Sequence, residues 1–221
     1  MKLNKEQYTL LKAKKAWKLK KSSSDWLANA DYIYNLIVKN NYKDCLEVGV
    51  GNGESTRVLI SSVFKTNGNL VCYENNDICK YCGGNSCWFD HFKIEEEIEY
   101  TDLYNHIIYF ESDFFKRTEN DVPLFGNINK KPKLFDFIHG DYLPGHCTFE
   151  PAYQSTKFFL EKTILLLKKR GIISIHDVDD CIFDGGVNKA IEDFVKDKNE
   201  FTYSKKYFNK WGIGIITRVE K

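Results

Sequence analysis

The sequence predicts an α/β protein: a doubly wound, mostly parallel seven-stranded sheet that ends in an antiparallel C-terminal hairpin. Three observations carry this. From residue 44 onward, short continuous apolar runs alternate with stretches of helical periodicity, as in a parallel sheet covered on both faces. A turn with glycines at positions 49, 51 and 53 joins the first of those runs to the helix after it. Only Asn209, Lys210 and Trp211 separate the last two strand-like runs, 201–208 and 212–219, too few for a crossover helix, so these must be antiparallel neighbours.

The elements follow in order. Residues 5–20 place Tyr8, Leu10, Leu11, Trp17 and Leu19 among closely spaced lysines, which suits a basic amphipathic helix. Ser22, Ser23, Ser24 and Asp25 supply N-cap chemistry for a second helix over 26–39, with Leu27, Ile33, Tyr34 and Ile37 on its apolar side. Strands are expected at 45–49, 69–74, 106–110, 135–139 and 172–175, with helices over 55–64, 156–169 and 186–198. The organisation predicted is an N-terminal helical segment, 1–40, packed on the core or forming a lid, and a main domain, 41–221, with an inserted Cys-rich loop at about 77–104.

With 221 residues, 43% hydrophobic and 29% charged, the chain can bury one core and is short for two. A formal net charge of +1 provides no global field that would select nucleic acid or an anionic membrane. No stretch approaches the roughly 18 consecutive apolar residues of a spanning helix, and lysines interrupt the N-terminus, so a soluble, cytoplasmic protein is expected. Cys45 and Cys72 lie inside apolar strand runs and the cysteine count, seven, is odd, which argues against a disulfide framework.

Chemistry-bearing residues gather at predicted strand ends. Glu47 precedes the glycine turn, Glu74 closes the second strand 21 residues after Gly53, and Asp113 follows the third, with Glu111 as an alternative to it. A carboxylate at the position of Glu74 can accept both hydroxyls of a ribose. The fourth strand runs into His139, Gly140 and Asp141, and the fifth into His176 and Asp177; the carboxyl ends of strands in an open sheet form the ligand crevice. His146 lies in an aromatic-rich loop over 142–153.

Glu-x-Gly-x-Gly-x-Gly over 47–53 resembles the first motif of the class I S-adenosylmethionine-dependent methyltransferases. The later segments Asp136-x4-Asp141 and Gly171-x4-His176-Asp177 are similar to those of macrocin-type sugar O-methyltransferases and their small-molecule relatives. The resemblance covers roughly residues 30–217, with two departures: Tyr142 stands in place of a glycine after Asp141, and Arg170 in place of a glycine before the fifth strand. It implies a Rossmann-like fold and S-adenosyl-L-methionine bound by Glu47, Gly49, Gly51, Gly53, Glu74, Asp113 and His139. It also implies O-methylation of a small molecule or sugar-bearing metabolite, without nucleic acid as partner; a homo-oligomer is compatible with it. In related metal-dependent enzymes the fourth and fifth strands bring acidic residues to Mg2+, which here implies Asp141 and Asp177 as ligands; Asp179 and Asp180 would replace a missing neighbour only if the turn differed. Without a metal, a histidine must remove the acceptor's proton, and the candidates are His139, His146 and His176, the last also able to orient its strand end. Other readings are N-methylation and a cofactor-binding module without turnover.

Cys79-x2-Cys82-x4-Cys87-x3-His91 stands apart from these motifs. Three thiolates and an imidazole suit tetrahedral zinc, and the first pair has the usual ligand spacing; the alternative is free thiols in an inserted loop.

Overall fold

The computed structural model describes residues 24–50, 54–74, 106–117, 127–142, 148–179, 185–207 and 212–220, together with Asp121 and Pro123. Its elements are α1 (Ser24–Lys39), β1 (Asp44–Val48), α2 (Glu54–Thr66), β2 (Asn69–Glu74), β3 (Ile107–Glu111), β4 (Phe135–Gly140), α3 (Phe149–Thr163), β5 (Leu167–His176), α4 (Gly186–Lys196), β6 (Phe201–Lys206) and β7 (Ile213–Arg218). They form one seven-stranded sheet in the order β3-β2-β1-β4-β5-β7-β6. The first five strands are parallel, and β7 lies antiparallel between β5 and β6. The predicted fold class is the observed one.

Period-two alternation divides the strand side chains between two layers. Cys45, Leu70, Cys72, Tyr109, Phe137, Ile172 and Ile215 face Ile33 and Ile37 of α1 and Val58, Leu59 and Val63 of α2. Leu46, Val71, Tyr73, Phe110, Ile138, Ile173 and Ile216 face Phe159 and Leu160 of α3 and Val187, Ile191 and Phe194 of α4. With both faces covered, only a residue at or beyond a strand's last position reaches the edge. The predicted helix over 5–20 lies outside the described residues.

Helix ends follow local chemistry. Two helices stop at asparagines in the left-handed region, Asn41 (φ 52°) and Asn67 (φ 54°), followed by closing bonds from Tyr42 N–H to the Ile37 carbonyl and from Gly68 N–H to the Val63 carbonyl. The helix expected over 156–169 instead spans Phe149–Thr163. Pro151 is tolerated because it falls in the first turn, where no intrahelical N–H is needed. A 3-10 turn, Ile164–Leu166, then leads into β5, which starts at Leu167 rather than at 172.

The early start of β5 has a physical cause. Leu167 is buried beside Phe135, and the register slips between there and the pairing of Phe137 with Ile172, so the intervening segment bulges. Within the bulge, Arg170 has φ 61°, the conformation for which glycine is better suited, and its carbonyl accepts the Tyr42 hydroxyl at 2.7 Å. Lys168 Nζ reaches Asp44 Oδ2 at 2.6 Å and Asp136 Oδ2 at 3.1 Å. Asp136 also accepts the backbone N–H groups of Lys43 (3.0 Å) and Asp44 (2.9 Å), and so pins β1, β4 and β5 together at the amino ends of the strands. Its place is opposite Asp141 along β4, which makes it structural. Asp136→Ala is expected to lower stability by about 2 kcal/mol, the scale of lost hydrogen bonds to a charged acceptor, with cofactor affinity unchanged. Urea unfolding beside a ligand titration checks this; a change in affinity without a change in stability would refute it.

Candidate active site at the carboxyl edge of the sheet

The chain leaves β1 through a turn that only glycine fits. Gly49 has φ 83°, and a Cβ there would lie 2.1 Å from the Asp141 carbonyl oxygen. Its N–H donates to the Tyr73 carbonyl at 2.9 Å, and the Asp141 N–H donates to the Val48 carbonyl at 3.0 Å, so three strand ends clamp one another. The next amide, Val50 N–H, donates to Glu74 Oε2 at 2.5 Å. The structure therefore brings Gly49 and Glu74 together across the β1–β2 edge. Gly51 and Gly53 lie outside the described residues.

At the end of β3, Glu111 is the register partner of Glu74. Asp113 caps the short turn Phe114–Lys116: Oδ1 accepts the Phe115 N–H at 2.9 Å, and Oδ2 lies 3.2 Å from Lys116 Nζ. Phe115, Tyr142 and Phe159 form an aromatic wall beside it, with Tyr142 stacked on Phe159 at 4.6 Å and Phe115 edge-on to Tyr142 at 5.8 Å.

Asp141, His176 and Asp177 converge at the ends of β4 and β5, with one donor atom from each within 4.8 Å of the others. His176 Nδ1 lies 2.9 Å from Asp177 Oδ1 and 3.5 Å from Asp141 Oδ2. Burial pulls the His176 imidazole down, but the two carboxylates outweigh it and push its pKa up to about 10. Asp177 takes φ 59°, and its N–H donates to the Gly212 carbonyl at 3.1 Å, which ties the site to the start of β7. Two carboxylate oxygens and an imidazole nitrogen make a donor set suited to a divalent cation, the oxygens favouring Mg2+ and the nitrogen a first-row transition ion. Asp179 turns to Lys205 Nζ at 2.9 Å, and Asp180 lies outside the described residues.

The histidines thus separate by strand position. His139 faces the α1/α2 layer, is fully buried, and its Nδ1 lies 2.8 Å from Ser174 Oγ; burial pulls its pKa down to about 4. His176 ends its strand and reaches the carboxylates. His146 lies outside the described residues, as do Cys79, Cys82, Cys87 and His91. Alternation puts both on one face, since His139 pairs with Ser174, two residues before His176; what separates them is depth, His139 lying inside β4 and His176 closing β5.

Glu47 belongs to the same buried layer. Thr56 Oγ1 donates to its Oε2 at 2.7 Å and Cys72 Sγ at 3.4 Å. Burial raises its pKa to about 8 against the pull of those hydrogen bonds. Glu47 and His176 both keep in the fold a proton that the unfolded chain gives up, ordinarily at 4.5 and 6.5. The stability they contribute is whole below those values and is lost as pH rises through about 8 and about 10. His139 acts oppositely, its contribution being lost as pH falls from 6.5 through about 4. Stability is therefore expected to decline from about pH 6.5 to about 10, by up to about 1.4 kcal/mol per pH unit from each of the two proton-holding groups up to about pH 8 and from His176 alone above it. Urea midpoints across that range check it, and a flat profile would count against both shifts.

No protein-family model matches the chain, and no curated protein matches it. Among the described residues no helix is long and apolar enough to cross a membrane. Solved structures do match. An O-methyltransferase from Bacillus cereus in complex with S-adenosylhomocysteine (SAH) superposes with a TM-score of 0.57 at 15% identity, over 99% of this chain and 92% of that one. The SAH-bound methyltransferase PaMTH1 of Podospora anserina gives 0.57 at 14% identity, over 100% and 98%. TomG of Streptomyces achromogenes, an O-methyltransferase of tomaymycin synthesis solved with S-adenosylmethionine, gives 0.56 at 12% identity, over 99% and 92%. At these identities the likeness is one of fold: this chain has the architecture of S-adenosylmethionine-dependent O-methyltransferases.

Proposed function

We propose that the protein transfers a methyl group from S-adenosylmethionine to a hydroxyl of a small molecule or sugar-bearing metabolite. The observation that carries this reading is the convergence, on one carboxyl edge, of the Gly49–Val50–Glu74 clamp and the Asp141/His176/Asp177 cluster. The cofactor and O-methyl chemistry of the structurally similar proteins support it. In this reading the backbone at Gly49 leaves room for the methionine part of the cofactor, and Glu74 holds the ribose hydroxyls. Asp113 and the aromatic wall lie at the adenine end.

Asp141, His176 and Asp177 would hold a divalent cation, which when bound lowers the pKa of an acceptor hydroxyl. One observation favours this over a histidine base: His139 is sealed from any acceptor. His176 Nδ1 faces the two carboxylates and would give up its proton to the cation. The remaining work is alignment: the acceptor oxygen attacks the methyl carbon in line, the C–S bond breaks, the sulfonium becomes a thioether, and the hydroxyl proton leaves to solvent.

Calorimetry with S-adenosylmethionine and SAH on the wild type and on Glu74→Ala tests the reading. Wild type is expected to bind both, and Glu74→Ala to bind about 10- to 100-fold more weakly, the scale of charge-assisted hydrogen bonds. A wild type that binds neither ligand would refute it.

A further inference from the structure

A row of polar side chains crosses the sheet beneath the site. Cys72 of β2, Glu47 of β1, His139 of β4 and Ser174 of β5 are successive register partners and all are 0% exposed. Burying four polar groups in an otherwise apolar layer costs stability, and the ionisable ones are held neutral. Glu47 is the member nearest in sequence to the glycine turn, two residues before Gly49.

The side chains that donate to Glu47 among the described residues are uncharged: Ser55 and Thr56 from α2 and the Cys72 thiol from β2. From β4 it faces the neutral His139, and in the protein without a cation at the Asp141 cluster the Asp141 carboxylate further disfavours a second negative charge. Glu74 at the end of β2 adds another acid on the same edge. A cation arriving at the Gly49 turn would change this balance, because a carboxylate in a poorly solvated layer gains most from a nearby opposite charge.

We propose that Glu47 is a neutral acid in the empty protein and releases its proton when S-adenosylmethionine binds, so that the sulfonium-bearing donor is held more tightly than its thioether product. The proposal rests on the cofactor reading above. Both ligands bring an ammonium and a carboxylate; only the donor brings a further positive charge at sulfur. The proton passes to the buffer, one positive charge leaving as another arrives. After methyl transfer that charge is gone, and reprotonation of Glu47 favours release of SAH. With a pKa of about 8 in the empty protein, Glu47 is roughly nine-tenths protonated at pH 7.

The test is calorimetry at pH 7 in two buffers of different ionisation enthalpy, titrating each ligand into the wild type and into Glu47→Gln, whose amide mimics the protonated acid. Wild type is expected to release more than half a proton per S-adenosylmethionine and distinctly less per SAH. Its affinity for the donor should rise up to tenfold per pH unit from pH 6 and level off above about pH 8. Glu47→Gln should release none and lose at least fivefold of the preference for donor over product. Donor binding to wild type without proton release overturns the proposal while leaving the cofactor reading intact. Equal release by Glu47→Gln also overturns it, by showing that the proton comes from another group. If neither ligand binds the wild type, both readings fall. The wild-type titrations decide the matter even if the variant does not fold.

Discussion

Gly49→Ala is expected to destabilise the protein by about 3 kcal/mol or more and to remove measurable cofactor binding. Two costs add: a non-glycine residue in the left-handed region costs about 1–3 kcal/mol, and a Cβ placed 2.1 Å from the Asp141 backbone carbonyl forces strand ends apart, at a further 1–3 kcal/mol. The displaced group is backbone on both sides, so no side chain can swing away to relieve it. Gly185→Ala provides the control. Gly185 has φ 77°, and among the described residues nothing lies within 4 Å of the place its Cβ would take, so only the conformational cost, about 1 kcal/mol, applies. Urea unfolding of both variants, with SAH titration of each, measures the difference. Should Gly49→Ala bind SAH within twofold of wild type, the turn is not part of the cofactor site.

Asp177→Asn is expected to reduce methyl transfer by about a hundredfold or more while changing SAH affinity by less than threefold. The substitution suits the backbone, because asparagine accepts the left-handed φ of 59° nearly as well as aspartate, so the fold and the bond to the Gly212 carbonyl persist. What it removes is one of the two negative charges facing His176, which weakens any cation held there by several kcal/mol of electrostatic stabilisation. Activity measured with and without a chelator, once an acceptor is in hand, should give the same loss in wild type as the substitution does. An Asp177→Asn enzyme as active as wild type and insensitive to chelator would exclude a cation at this cluster.

Much of the fold was legible because its signals are local. Continuous apolar runs bounded by helical periodicity implied a sheet buried on both faces, and the three residues between the last two strands required them to be antiparallel. Element ends were less legible where long-range contacts set them. The sequence pattern continues the third helix to Lys169, but burial of Leu167 and the pairing of Lys168 with Asp44 and Asp136 draw those residues into β5. Arg170 shows the same thing: in the sequence it is a departure from a glycine position, and in the fold it takes a glycine-like φ within a bulge that the sequence does not announce.

The site divides along the same line. Residue type and strand-end position alone singled out Gly49, Glu74, Asp141 and Asp177, since glycine turns and acids that follow apolar strands are read from a few neighbours. The roles of the histidines were decided only by tertiary structure. His139 and His176 look alike in sequence, each an imidazole closing a strand run, yet one is sealed beneath α1 and α2 against Ser174 and the other meets two carboxylates from different strands. The raised pKa of Glu47 was likewise invisible, because it arises from burial beneath helices that exclude water, against hydrogen bonds from partners as distant as Cys72, 25 residues away. Spacing determines which groups can reach an edge; which of them are charged there depends on burial and on partners brought from distant parts of the chain, and only packing supplies those.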